Sequence, residues 1–419
     1  MNLFDSITFD CMRSMVMQYR KMEKLGWDVS ALGFGCMRLP TKGLLNRIDE
    51  EEAIRIIRRG IDLGINYIDT AWPYHMGNSE KVLGKALQDG YREKVKLVTK
   101  LPMFVERKEE DFDHFLNSQL KKLQTTHIDL YLFHGMNKMF FGTLKKLNLI
   151  EKMEKAKNEG KIKAIGFSFH DSLPIFKEMI DYFPWDACQI QYNYMDTGQQ
   201  AGDEGLTYAH EKGISVIIME PIKGGMLANP PSEALELMKK SKIQRTPVDW
   251  ALQFVWNKPE VSVVLSGMGN MQMVEENCAS AANSGINSLS HEDNQILEEI
   301  ADIYRKKIMV PCTACRYCMP CPHGVNIPGC FAAVNTLSIN DSNKGMDLPL
   351  RLLQRLRYRK MAKNTNQLVK KPNNGRASMC TNCGACIPKC PQHIQIPDEL
   401  VKVVQVMEKH KSVKKTFQQ

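Results

Sequence analysis

Apolar runs and amphipathic stretches alternate along most of this chain. The runs occupy 29–35, 65–70, 95–100, 128–134, 162–168, 187–192, 214–221 and 261–267. Between them, apolar residues recur at helical spacing. Ile54, Ile57 and Ile61 make one such stripe, and Phe112, Phe115, Leu116 and Leu123 make another. Gly64, Gly160 and Gly213 each stand past a predicted helix and before a strand, as C-terminal caps. Eight strand–helix units over about 250 residues predict a (β/α)8 TIM barrel. A doubly wound sheet would carry a Gly-rich phosphate fingerprint after its first strand, and GFGCMR does not match one.

A last amphipathic helix is predicted at 290–307, and the composition changes sharply at Pro311. The expected division is an N-terminal extension without clear pattern at 1–16, the barrel at 17–307, a small, mostly α-helical, Cys-rich domain at 308–405 and a basic tail at 406–419. No apolar run is long enough to span a bilayer and the start does not read as a signal peptide, so a cytoplasmic location is expected. Net charge is +9, and it is unevenly spread. From 348 to 397 there are ten Lys or Arg and no Asp or Glu. Nine of the 13 Cys lie beyond residue 311, a crowding that suggests metal ligation more than disulfides.

Polar residues mark successive predicted strand ends: Asp69, Lys100, His134 and Ser168, with Gln189 within the sixth run. Tyr74 lies in the loop after Asp69. On a barrel these groups converge on one mouth. Tyr, Lys, Asp and His together suit acid–base work at a carbonyl. Free Tyr titrates near ~10, and a neighbouring Lys⁺ is expected to lower that value. An Asp paired with the Lys keeps it charged, and a His orients the substrate oxygen. Taken singly, Asp69 reads as a helix cap, Lys100 as a surface residue and His134 as a core histidine. One shared site accounts for all of them.

The text GFGCMRLP, YIDTAWPYHMGNSEKVLGKAL, VKLVTKLP, IDLYLFHG, IGFSFH, CQIQYN, MEPIKGG and LSGMGNMQMVEEN resembles the aldo-keto reductase family from residue 17 to about 285. The resemblance implies that Tyr74 is the proton donor, that Asp69 and Lys100 tune it and that His134 completes a tetrad. It implies a hydride passing between NAD(P)H and a carbonyl. Ser168 and Gln189 match positions that hold the nicotinamide amide, and Glu276 and Asn277 match contacts to the adenine end. Pro221, Ser266, Met268 and Asn270 fall among the implied nucleotide contacts. Met219 stands where the family stacks an aromatic ring, though a Met there also reads as core. Gly267 and Met273 stand where the family carries a cationic fork for the 2′-phosphate of NADPH. That departure favours NADH, with Arg38 and Lys223 as the bases left to take over.

Two Cys runs dominate the last hundred residues, CTACRYCMPCP from Cys312 and CTNCGACIPKCP from Cys380. The second has the C-x2-C-x2-C-x3-C-P spacing of two-cluster ferredoxins, in which the fourth Cys serves the other cluster. Two 4Fe-4S clusters are therefore expected. Cys312, Cys315, Cys318 and Cys390 would hold one, and Cys380, Cys383, Cys386 and Cys321 the other. The first run has two residues rather than three before its last Cys, which leaves Cys330 as another thiol in reach. Structural zinc is the alternative, but zinc sites usually pair CxxC with CxxC or His. Barrels of the same family with a C-terminal ferredoxin-like domain carry similar runs, so the resemblance extends over nearly all the chain after residue 16.

Two functions follow. One is an NAD(P)H-linked reductase of aldehydes or ketones carrying two clusters for electron transfer or support. The other is an electron-transfer protein whose barrel is a docking scaffold. The basic stretch would serve the clusters or an acidic ferredoxin- or flavodoxin-like carrier. Nucleic acid ranks low, because Tyr358 is the one aromatic in that stretch.

Overall fold

The computed structural model describes residues 16–43, 47–104, 108, 110–314, 316–341, 348–362, 375–390 and 392–417. The expected extension at 1–16 lies outside them apart from Val16. Each predicted run holds a strand of one closed barrel: β1 (Leu32–Gly35), β2 (Tyr67–Asp69), β3 (Lys96–Leu101), β4 (Ile128–Met136), β5 (Ile162–Phe169), β6 (Ala187–Gln191), β7 (Ser215–Met219) and β8 (Val261–Ser266). The strands run in chain order around the ring, all parallel, and β8 pairs with β1. Helices such as Glu50–Asp62, Ser79–Ala86, Glu110–Leu123 and Met271–Ala282 return the chain between strands. Gly64, Gly160 and Gly213 have φ of 101°, 74° and 70°, the left-handed geometry expected just past a helix end.

One run divides differently from its prediction. Residues 29–35 hold two strands, because Trp27–Ser30 pairs antiparallel with Tyr19–Met22 and only Leu32–Gly35 joins the barrel. This hairpin closes one end of the barrel. Met22 and Val29 are fully buried with Tyr67, Val98, Leu130 and Val263. Burying large apolar side chains of this kind stabilises by roughly 1.5–3 kcal/mol each.

The chain forms two compact units. The first runs to Pro221 and resumes over Asp249–Ser290, and the second comprises Ile222–Val248 and the chain from His291. The expected boundary near 307 thus lies within the second unit. Helix His291–Lys307 is tied there to 222–248, since Asp293 accepts from Ser241 (2.7 Å) and pairs with Arg245 (3.3 Å). The second unit is helical, with Ile327–Asp341, Leu348–Ala362 and Ile396–Val403, and among the described residues it has no strand. Its core includes Val325, Phe331, Tyr358, Leu400 and Val406. Val406, Met407 and Val413 are buried, so part of the expected basic tail packs into this core. Among the described residues no helix is long and apolar enough to cross a membrane.

Candidate active site and cysteine cavities

Barrel strands alternate their side chains between the interior and the helix layer, and this sorts β3 cleanly. Lys100 meets Asp69 from β2 through both carboxylate oxygens, at 2.6 and 2.7 Å, and donates to the Thr70 carbonyl at 2.9 Å. Its neighbour Thr99 instead donates to Glu80 at 2.8 Å. Glu80 is fully buried, pairs with Lys122 at 3.1 Å and accepts from Gln119, whose amide also bonds the Lys100 carbonyl. This network fixes β3 from behind. The partners are 19 to 42 residues apart, so no local pattern in the sequence marks Glu80 for this role.

Tyr74 opens the short turn Tyr74–Gly77, in which His75 and Met76 are held at φ of 49° and 58°. Such backbone persists only where the surroundings fix it. Here the His75 ring accepts from the Leu39 amide at 3.2 Å, joining the loops after β1 and β2. Tyr74 Oη stands 3.5 Å from Lys100 Nζ, and the Tyr74 and His134 rings meet edge-on at 6.0 Å. Asp69, Tyr74, Lys100 and His134 therefore come together at one mouth. Asp69, Lys100 and His134 are 3%, 1% and 2% exposed, while Tyr74 is half-buried.

The protonation pattern corrects one expectation. Lys100 does not bring the Tyr74 hydroxyl down. Burial first, then the charges of Asp69, Cys36 and Glu220, hold it well above the ordinary tyrosine value, with Arg38 opposing. The physical reason is that Asp69 engages the ammonium on both oxygens, leaving little net positive charge for the phenol to feel. Burial raises Asp69 and lowers Lys100, and their attraction opposes both shifts. Burial, with the charges of Lys100 and His170, holds His134 well below the ordinary histidine value. The site thus presents a protonated phenol beside a neutral imidazole.

His170, after β5, is pushed down by burial to about 4. An unfolded histidine takes its proton near ~6.5, so between those values the unfolded chain binds more protons. Stability of the barrel should therefore fall as pH drops from about 6.5 to about 4, by about 3 kcal/mol from this residue. Denaturation midpoints across that range should fall less in His170→Gln than in the unaltered chain. Parallel slopes would contradict the assignment.

The residues assigned to the nucleotide line the same barrel. Ser168 and Gln189 are register partners on β5 and β6. Ser168 Oγ accepts from the Gly135 amide at 2.8 Å. Gln189 is 2% exposed, and its Oε1 has no hydrogen-bond partner. Met219 ends β7, partly exposed, and Pro221 is buried. Ser266 ends β8 and accepts from Asn277 at 3.0 Å, so that amide is occupied within the protein. Gly267 is exposed, Met268 is fully buried, and Asn270 caps helix Met271–Ala282 by accepting from the Met273 amide. Glu276 is exposed and bonds Gln272 at 2.7 Å. Arg38 lies over Gly267, where a Cβ would meet its Cγ at 2.8 Å. Arg38 thus stands closer to the implied phosphate position than its place in the sequence indicates. The signal that singles it out is the missing side chain at Gly267.

In the second unit, two cavities gather the cysteines. One is lined by Cys312, Cys318 and Cys390 with Ile327, Phe331 and Ile396. The other is lined by Cys321, Cys380, Cys383 and Cys386. Cys315 lies outside the described residues. The two Cys loops repeat one backbone pattern. Ala314 and Arg316 have φ of 56° and 69°, and Asn382 and Gly384, at the matching places, have 57° and 71°. In each loop the amide two residues on points to the first sulfur, Ala314 N to Cys312 Sγ at 3.4 Å and Asn382 N to Cys380 Sγ at 3.5 Å. Burial raises the Cys386 thiol, and Cys321, Cys380 and Cys383 add to the rise. Cys330 lines neither cavity. It is fully buried, and that burial pushes its thiol up to about 12. None of the eleven described cysteines is disulfide-bonded. Among the described residues no group of three or more His, Cys, Asp or Glu is placed to hold a single metal ion.

The sequence profile of the Aldo/keto reductase family matches residues 31–302. L-galactose dehydrogenase of Arabidopsis thaliana is 29% identical over 68% of this chain and 94% of its own length. NADH-specific methylglyoxal reductase of Escherichia coli (strain K12) is 26% identical over 61% of this chain and 89% of its own. The solved holo form of an aldo-keto reductase from Bacillus halodurans superposes with a TM-score of 0.57 at 28% identity, covering 68% of this chain and 96% of that one.

Proposed function

The chain belongs to the aldo/keto reductase family and is an oxidoreductase of that type, and from this premise we propose that it reduces a small aldehyde or ketone with a nicotinamide nucleotide, or runs the reverse oxidation. The observation that carries the reading is the buried Asp69–Lys100 pair set beside the Tyr74 hydroxyl. The test is nucleotide-linked reduction of small carbonyls that depends on Tyr74. The pair stands beside Tyr74 and His134 toward the carboxyl ends of the strands, where catalytic groups of such barrels gather, and this favours an enzyme over a scaffold.

The nucleotide fits the residues present. The unpartnered Gln189 Oε1 is a buried acceptor for an amide N–H, and Ser168 stands in register beside it. Ser266, Gly267, Met268, Asn270, Glu276 and Asn277 would hold the phosphates and the adenine end, and Met219 and Pro221 would flank the ring. When bound, the nucleotide supplies the hydride. Tyr74 gives its proton to the carbonyl oxygen as that oxygen gains charge. The hydroxyl stays protonated in the free protein because of its burial, so the donor form is populated across ordinary pH. Neutral His134 holds the same oxygen by a hydrogen bond. Asp69 holds the Lys100 ammonium in place, and that ammonium stands 3.5 Å from the Tyr74 oxygen when the phenol loses its proton.

NADH should be used at least as well as NADPH, because Gly267 and Met273 offer no cation to a 2′-phosphate. Arg38 is the base set against Gly267, so Arg38→Ala should weaken NADPH use more than NADH use. Catalytic efficiencies for both nucleotides check this. A hundredfold preference for NADPH in the unaltered chain would contradict the first expectation, and an equal loss with both nucleotides in Arg38→Ala would contradict the second.

For the second unit we propose two 4Fe-4S clusters, held by Cys312, Cys315, Cys318 and Cys390 and by Cys380, Cys383, Cys386 and Cys321. The matched loops, the cavities and the soft thiolate donors support this over two zinc ions. Such clusters supply one-electron transfer when present. The exposed Arg357, Arg359 and Lys360 on helix Leu348–Ala362 support an acidic electron carrier as partner. Thiolate ligation also fits the reducing cytoplasm.

A further inference from the structure

Thr313 follows the first cysteine of its run. It is 2% exposed, and it lines the cavity that Cys312, Cys318 and Cys390 share. Its Oγ1 has no hydrogen-bond partner. Leaving a buried hydroxyl unsatisfied costs about 1–3 kcal/mol, so such a group calls for an acceptor. Water is a poor one here. Apart from Arg316 and Gln392, the wall beside the cysteines is apolar, with Ile327, Phe331, Ile394 and Ile396, and a trapped water needs two to four polar partners. The threonine is held in place by the backbone. Gly224, at φ 64°, packs so tightly on the Thr313 carbonyl that a Cβ there would meet it at 2.4 Å. The second loop repeats the same left-handed pattern and also has a threonine after its first cysteine, Thr381, which lines the second cavity but is exposed. Burial therefore sets the two threonines apart, although the loops share one conformation.

We infer that the Thr313 hydroxyl donates a hydrogen bond to a sulfur of the cluster held by Cys312, Cys315, Cys318 and Cys390, and so raises the reduction potential of that cluster alone. The inference rests on the two-cluster reading. Its physical basis is that reduction adds negative charge to the sulfurs, and a donor stabilises the more negative form more strongly. Hydrogen bonds to the sulfurs are among the determinants of cluster potential.

The experiment uses the full chain, purified anaerobically, as the unaltered protein and as Thr313→Val, Thr313→Ser and Thr381→Val. Iron and acid-labile sulfide are counted, and both potentials are read by EPR-monitored redox titration. With about eight irons per chain, Thr313→Val should make one cluster harder to reduce by about three- to tenfold, or about 30–60 mV at 59 mV per tenfold. Thr313→Ser should restore the unaltered value, and Thr381→Val should move neither potential. Should Thr313→Val retain only about four irons, Thr313→Ser with eight irons and unaltered potentials upholds the hydroxyl's role, and four irons in both variants overturns it. Eight irons with both potentials unmoved in Thr313→Val overturns the hydrogen bond and leaves the clusters standing. No iron or sulfide in the unaltered protein overturns both.

Discussion

Tyr74→Phe should lower carbonyl-reducing turnover by about 100- to 10,000-fold while leaving nucleotide binding nearly unchanged. That range corresponds to about 3–5 kcal/mol of lost transition-state stabilisation. The substitution removes one oxygen from a half-buried ring and leaves the Asp69–Lys100 pair intact, so the barrel should keep its fold. Substituting Lys100 is a less clean test. It strands the Asp69 carboxylate in the interior, and breaking a buried pair typically costs 3–5 kcal/mol of stability. Because burial holds the Tyr74 hydroxyl well above its ordinary value, reduction by the unaltered protein should persist into alkaline pH without a break near ~10. Steady-state rates and nucleotide titration by fluorescence separate the two effects. Near-normal turnover in Tyr74→Phe would remove Tyr74 from its role.

Cys390→Ala should damage the cluster assigned to Cys312, Cys315 and Cys318 and spare the one assigned to its own sequence neighbours. Cys390 lines the cavity of the first run, and Cys321 lines that of the second. Alkylation followed by peptide mass analysis would read this directly. Cys312 and Cys318 should become reactive, and Cys380, Cys383 and Cys386 should stay protected. The reverse pattern would leave the clusters and remove the exchange. Ligand binding doubles as folding free energy in small metal domains. Loss of both clusters should therefore unfold residues around the two Cys runs, while the barrel, with its own core, survives. Two zinc ions and no acid-labile sulfide would refute the cluster reading altogether.

The parts of this protein legible in the sequence are those in which one physical constraint dominates. The barrel strands are buried on both faces, so they read as continuous apolar runs whatever surrounds them. The grouping was legible because Asp69, Lys100 and His134 lie toward the ends of successive strands and Tyr74 lies in the loop after the first of them, where the fold brings them together. The two Cys runs stand out in the sequence because their spacing is a local property, and the structure gives both loops one backbone pattern. Long-range partners were not. Nothing near Trp27 says that 27–30 leaves the barrel run to pair with 19–22, since a hairpin strand and a barrel strand joined by Ala31 share one apolar pattern. The raised Tyr74 hydroxyl was missed for a related reason. Sequence shows that a lysine is near, but not that both oxygens of Asp69 already hold it. Likewise, Thr313 shares its cavity with residues far along the chain, such as Ile394 and Ile396, and nothing local to the two threonines tells them apart.

The measurement closest to the central claim follows the hydride itself. The protein would be incubated with NADH or NADPH carrying deuterium at the transferring C4 position and with a panel of small aldehydes and ketones, methylglyoxal among them. The account predicts deuterium on the former carbonyl carbon of at least one product, formed with the unaltered protein and nearly abolished in Tyr74→Phe. Nucleotide binding without deuterium transfer to any carbonyl, or equal transfer by Tyr74→Phe, would contradict it.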